Sequence, residues 1–265
     1  MTTHQATSAA FSLADRLRDG RGALAGWVGF PDPIFAEAVA RTPLDAVVLD
    51  MQHGLLDPVS VVGCVATIVA AGKPAVVRVP VEDFAMASRA LDFGAAGIIA
   101  PMINSADDAR RYVQFVKYPP RGRRSWGPGR SMVFSGVTRG NDYLAHADEL
   151  TLALAMIETR EGLAALDDIL AVDGIDGVFV GPNDLCIALT DGATVDPESS
   201  LLDEPLARIV AASARAGKVS GVFGGRQAAR FRAMGFDFVS VGHDTGYVTA
   251  GVDALLAGVG GAGGY

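Results

Sequence analysis

Four apolar runs in this sequence end on a side chain able to do chemistry. Residues 46–50 (AVVLD) close on Asp50 and lead into Gln52 and His53. Residues 75–78 (AVVR) close on Arg78, residues 153–158 (ALAMIE) on Glu158, and residues 177–184 (GVFVGPND) on Asp184. Near-continuous apolar runs of this length are the mark of parallel strands buried on both faces. Catalytic groups of a barrel of alternating strands and helices stand where such strands finish. The pattern therefore points to an enzyme.

Each group admits more than one use. Glu158 and Asp184 would close neighbouring strands, so their carboxylates could converge on one hard divalent ion such as Mg²⁺ or Mn²⁺. They could equally serve as general acid and base, and Asp184 could cap a short helix over 185–189. His53 lies just past a strand end beside Gly54, where an imidazole with a near-neutral pKa suits a general base; a solvent-facing loop histidine is the plain alternative. His4, His146 and His243 are less suggestively placed. Arg78 at a barrel mouth would need an anion, either a substrate carboxylate or enolate oxygen or a structural partner in Asp50 or Glu158. The only lysines, Lys73, Lys117 and Lys218, stand before strands or late in a helix. None is placed for Schiff-base chemistry, so carbanion chemistry here would require a metal as electron sink.

The elements that must position these groups are legible in outline. Strands are expected over 24–29, 46–50, 75–79, 97–101, 153–158, 176–181, 219–223 and 237–242. Helices are expected over 33–41, 58–71, 83–93, 105–116, 160–171, 204–216 and 226–234. Asp32 with Pro33 forms a helix start, and Gly72, Gly94, Gly217 and Gly235 form stops. Eight alternating units in 265 residues favour a single (β/α)₈ barrel domain over an open doubly wound sheet. Residues 118–150, with the run from Arg121 to Arg130, interrupt the rhythm as a long loop that covers the site, binds an acidic substrate tail or makes a subunit contact. Gly221–Gly225 and Gly242–Gly246 are either phosphate-binding loops or simple tight turns. Residues 1–8 and the glycine-rich 258–265 are expected to be flexible ends.

Composition narrows the function classes. A formal charge of −8 argues against a nucleic-acid partner. No apolar run approaches the roughly 20 residues needed to span a bilayer. The N-terminus lacks the features of a signal peptide, and Cys64 and Cys186 read as buried free thiols, which fits a reducing cytoplasm.

Taken together, the runs Leu49–His53 (LDMQH), Val77–Pro80 (VRVP), Leu91–Ala95 (LDFGA), Tyr118–Gly122 (YPPRG), Ile157–Glu158 and above all Gly174–Leu185 (GIDGVFVGPNDL) resemble the HpcH/HpaI aldolase family, from about Gly26 to Leu255. The resemblance implies a divalent-metal-dependent (class II) aldolase that joins or cleaves 4-hydroxy-2-oxo acids, with pyruvate as the nucleophilic half and an aldehyde as acceptor. It implies Glu158 and Asp184 as ligands of Mg²⁺, Mn²⁺ or Co²⁺, His53 as base, and Arg78, grouped with Asp50, at the pyruvate oxygen. Trp27 matches a pocket aromatic, and the backbone around Pro182 and Asn183 would hold the pyruvate carboxylate. Phe223 and the long loop are expected to choose the aldehyde. Two positions depart from the pattern: Gln52 stands where the family usually has Glu, and Met156 where it has Gln, both beside the metal's ligands. Asp92 matches a residue paired with the catalytic histidine. It falls at the far end of its own barrel, so it is expected to reach a neighbouring subunit's site in a homo-oligomer, a hexamer by resemblance. Aromatic-compound catabolism is the expected setting. A citramalyl-CoA-type lyase, oxaloacetate decarboxylation through the same enolate, and a non-catalytic binding barrel remain alternatives; metal-dependent turnover, or its absence, separates the enzyme readings from the binding one.

Overall fold

The computed structural model describes residues 8–260, and eight strands close into one all-parallel barrel in sequence order. The strands are β1 (Ala23–Val28), β2 (Ala46–Asp50), β3 (Ala75–Arg78), β4 (Gly97–Ala100), β5 (Leu152–Ile157), β6 (Gly177–Val180), β7 (Val219–Val222) and β8 (Phe238–Ser240). β8 pairs with β1 and completes the ring. This is the (β/α)₈ architecture expected from the sequence.

Side chains alternate across a strand with period two, and that alternation fills the barrel. Ala25, Trp27, Val48, Val76, Ile99, Leu154, Met156, Phe179 and Phe238 form one buried cluster inside it. A second, larger cluster lies between the sheet and the helices and includes Val47, Leu49, Val77, Ile98, Val178 and Val239. The same parity carried to the strand ends points Trp27, Asp50, Arg78 and Glu158 into the barrel mouth.

Helix starts and stops follow local rules. Asp32 accepts from the N–H groups of Ile34 and Phe35 and starts Pro33–Ala40; Asp57 and Ser60 form a reciprocal capping box before Pro58–Ala70. Gly94 and Gly217 end Phe84–Phe93 and Asp203–Ala216 in the left-handed region, where a residue without Cβ is unstrained. Gly225 and Gly242 also adopt positive φ, which fits the tight-turn reading of those glycines.

Four expectations need correction. The stretch 118–150 is not an unstructured loop but carries helices Gly129–Ser135 and Gly140–Leu150, fixed by Tyr143 and Ala147 packing under Tyr118. The helix expected over 160–171 breaks at Ala165 into Arg160–Ala164 and Leu166–Leu170. Asp184 is not a helix cap: the helix runs Pro182–Leu189 with Gly181 at its N-cap, and Asp184 sits in its first turn. At the C-terminus, Gly258–Gly260 close a 17-residue helix, Asp244–Gly260, rather than opening a flexible tail. Residues 1–7 and 261–265 lie outside the described residues. Both cysteines are buried free thiols. Among the described residues no helix is long and apolar enough to cross a membrane.

Candidate active site

A pocket of about 340 Å³ opens at the C-terminal ends of the strands. β1 contributes Trp27, β2 Asp50 with His53 beyond it, β3 Arg78, and the β6 end Pro182, Asn183 and Asp184; Phe223 comes from the β7 end. Three expected site residues do not line it. Glu158 is buried next to the lining residue Gly181, Gln52 is half-buried in the loop that carries His53, and Asp92 is elsewhere.

The floor is built around one buried ion pair. Register places Asp50 directly opposite Arg78 on β2 and β3. Arg78 donates from Nε (2.8 Å) and Nη2 (2.6 Å) to the two oxygens of Asp50, a bidentate fork. Asp50 also accepts from Trp27 Nε1 at 3.2 Å and from the N–H groups of Gln52 and His53 at 3.0 and 3.3 Å. Burial pushes the Asp50 carboxyl up, but the hydrogen bonds and charge of Arg78, with the other donors, outweigh it and hold it below its ordinary value. The guanidinium lies 4.9 Å from the Trp27 ring centroid. Arg78 is thus anchored by Asp50 in a structural ion pair, yet its fork has five N–H donors and Asp50 takes two.

Glu158 and Asp184 converge beside Gly181. A Cβ on Gly181 would sit 2.8 Å from Glu158 Oε2, 3.2 Å from Asp184 Oδ2 and 3.2 Å from Met156 Cε; glycine leaves this space free. Glu158 Oε1 accepts from the Met102 N–H at 2.8 Å. Met102 holds φ at 57°, an uncommon conformation for a residue with a side chain, and it fixes the carboxylate from one side. Desolvation chiefly, with the Asp184 charge added and Met102 and Arg78 opposing, raises the Glu158 carboxyl to about 7. A buried carboxylate facing a second one is the environment a dication relieves. Among the described residues no three His, Cys, Asp or Glu side chains are grouped to hold a metal. Two carboxylates with water or substrate oxygens suit Mg²⁺ or Mn²⁺, which keep part of their hydration, better than zinc.

His53 is exposed at the rim, and none of its ring nitrogens is hydrogen-bonded among the described residues. Gly54 behind it lets the β2 loop pass the β1 loop, since a Cβ would meet Gly29 Cα at 2.7 Å and Asp50 O at 2.2 Å. The buried Gln52 Oε1 has no hydrogen-bond partner. Trp27 packs edge-on to Phe223 at 5.0 Å. Asp92 ends the helix before β4, at the opposite end of the barrel, where Arg124 Nη2 meets its Oδ1 at 2.6 Å. The arginine-rich run does not cover the pocket: Arg121 pairs with Asp173 and Arg130 stacks on Phe134.

Three contributors were missed in the sequence. Met102 carries no sequence signal, since its role lies in a backbone N–H. His243 and Asp244 line the pocket from the end of β8; they follow an apolar run just as His53 does, and that position was the available clue.

Residues 25–250 match the HpcH/HpaI aldolase/citrate lyase family. A hydroxypyruvate/pyruvate aldolase of Rhizorhabdus wittichii is 43% identical over 241 residues, 90% of this chain and 94% of that one. A 4-hydroxy-2-oxo-heptane-1,7-dioate aldolase of Salmonella arizonae is 34% identical over 93% of both chains. Among solved structures, an HpcH/HpaI aldolase/citrate lyase family protein from Burkholderia cenocepacia superposes with a TM-score of 0.83 at 30% identity, covering 94% of this chain and 98% of that one. With a barrel of matching extent and acidic, basic and guanidinium groups gathered at one mouth, the chain belongs to the HpcH/HpaI aldolase/citrate lyase family.

Proposed function

We propose that this protein is a divalent-metal-dependent aldolase that cleaves and forms 4-hydroxy-2-oxo acids, with pyruvate as nucleophile and an aldehyde as acceptor. The observation that carries the reading is the approach of Glu158 and Asp184 to one point beside Gly181, next to the Asp50–Arg78 pair. A divalent ion held by Glu158 and Asp184 would supply an electron sink for negative charge developing on the 2-oxo oxygen.

The chain's own residues carry the other parts. The substrate carboxylate is held at the start of Pro182–Leu189, where the N–H groups of Asn183 and Asp184 have no intrahelical acceptor and the helix dipole favours an anion. The N–H groups that Arg78 keeps free of Asp50 stabilise the enolate oxygen of pyruvate. His53 takes the 4-hydroxyl proton as C3–C4 breaks and returns one in the reverse direction. Trp27 and Phe223 form the dry wall behind the reacting carbons.

The assembly belongs to the same reading. In Asp244–Gly260, Val248, Val252, Leu255, Leu256 and Val259 are each about half or more exposed and form one helical stripe; every residue from 248 to 259 is exposed. We assign this stripe to packing between subunits of a homo-oligomer, a hexamer on the family resemblance. There Asp92, held from behind by Arg124, orients a neighbour's His53. The two buried thiols fit a cytoplasmic setting.

Pyruvate release from a panel of 4-hydroxy-2-oxo acids tests the reaction. Activity should vanish after exhaustive dialysis against EDTA and return with Mg²⁺, Mn²⁺ or Co²⁺. Undiminished activity in the metal-free protein would contradict the proposal.

A further inference from the structure

The end of β8 presents a second imidazole to the pocket. We infer that His243 selects the acceptor aldehyde, and that the acceptor is a short, neutral aldehyde carrying a hydroxyl group rather than one carrying a carboxylate. This rests on the aldolase reading above.

His243 is held on both sides. Asp244 Oδ2 accepts from the N–H groups of Gly29 (2.6 Å) and Phe30 (2.7 Å), tying the β8 loop to the β1 loop. Tyr247 donates its hydroxyl to Val241 O and accepts from the Trp27 N–H at 3.0 Å. Between these anchors the His243 ring places Nδ1 3.0 Å from Thr245 Oγ1, and its Nε2 has no partner among the described residues. The side chain is 48% exposed and lines the pocket. A positioned Nε2 can donate to or accept from a substrate hydroxyl according to tautomer. Preorganisation of this kind is what makes a single hydrogen bond discriminating.

The charge around it argues against an acidic tail. Arg78 is the only Lys or Arg lining the pocket among the described residues, and Asp50 holds it at the keto-acid end. Arg121, Arg124 and Arg130 are engaged elsewhere, and Arg226, on the turn after β7, does not line the pocket. The remaining ionisable neighbours at this end are His53, Asp184 and Asp244. With Asp184 committed to the divalent ion and Arg78 to Asp50, a carboxylate entering here meets the Asp244 carboxylate and no lysine or arginine of its own. Two apolar groups that line the same pocket, Phe30 and Leu55, suit a short carbon chain.

The test is aldol addition of pyruvate, at saturating Mn²⁺, to three acceptors: glycolaldehyde, acetaldehyde (no hydroxyl) and succinic semialdehyde (a carboxylate). The wild type should favour glycolaldehyde over acetaldehyde in kcat/KM by about tenfold, the upper end of what one hydrogen bond contributes. Succinic semialdehyde should be the poorest. In His243→Leu the glycolaldehyde preference should collapse toward unity, chiefly through KM, and His243→Asn should restore part of it. A ratio that stays put in His243→Leu, including equal losses on both acceptors, overturns the assignment, as does a wild type that prefers succinic semialdehyde. Exchange of pyruvate methyl protons in D₂O by the wild type needs no aldehyde and reports on the enolate half alone. Exchange with the wrong selectivity removes only the role of His243; absence of exchange and of cleavage removes the aldolase reading with it.

Discussion

Replacing Glu158 by Gln should stabilise the metal-free protein, and by an amount that depends on pH. The Glu158 carboxyl is 3% exposed, and desolvation, with the Asp184 charge added, raises it from 4.5 to about 7. The difference corresponds to about 3 kcal/mol at ~1.36 kcal/mol per unit. Between pH 4.5 and 7 the unfolded chain has released a proton that the folded chain keeps. The unfolded state therefore binds fewer protons, and stability falls as pH rises through that window. About 2 kcal/mol of the effect lies between pH 5.5 and 8. Gln keeps the acceptor for the Met102 N–H and has no charge to bury. In EDTA, the Tm of Glu158→Gln relative to wild type should therefore rise by ~4–8 °C between pH 5.5 and 8, taking about 2–4 °C per kcal/mol for a chain of this size. Added Mg²⁺ at a hundredfold excess over its Kd stabilises a binding-competent protein by about 2.7 kcal/mol, so at pH 8 it should restore wild type to near the variant while moving the variant much less. Calorimetry in EDTA and in Mg²⁺ reads both effects. A Tm difference independent of pH, or equal stabilisation of both proteins by Mg²⁺, would refute the reasoning.

Three further outcomes follow from the same geometry. Gly181→Ala, whose Cβ would crowd both Glu158 Oε2 and Asp184 Oδ2, should weaken Mn²⁺ binding at least ~10-fold by titration calorimetry while the barrel stays folded; unchanged affinity would mean the two carboxylates do not share an ion. Arg78→Met leaves Asp50 buried without its fork and should cost about 3–5 kcal/mol in urea unfolding, and Asp50→Leu with Arg78→Met should cost less than the single change; a single-variant loss below about 1 kcal/mol would contradict the paired floor. Asp92→Ala and His53→Ala subunits, each inactive alone, should regain activity when co-assembled, because a Asp92→Ala site receives its carboxylate from the other subunit; no recovery in verified mixed oligomers would place Asp92 outside the neighbour's site.

The sequence carried the barrel because each strand announces itself. Val47, Val48 and Leu49 are all buried, and the run breaks only where Asp50 reaches the mouth. Strand parity then turns a list of end residues into a set of inward ones. What parity does not reveal is contact across strands. The convergence of Glu158 on Asp184 depends on the missing Cβ of Gly181, and the support from Met102 comes from a backbone group that any residue type could offer. The segment 118–150 misled because glycine, proline and arginine mask two helices whose stability comes from tertiary packing, through Tyr118 and Tyr143. His243 stands in no motif of its own, although its place after β8 matches that of His53 after β2.

Crystals grown with Mn²⁺ and oxamate, a stand-in for pyruvate enolate, test the central claim most directly. An anomalous difference peak should lie between the carboxylates of Glu158 and Asp184, with oxamate oxygens completing its coordination. A map with no peak there, or with manganese bound at other residues, would contradict the account.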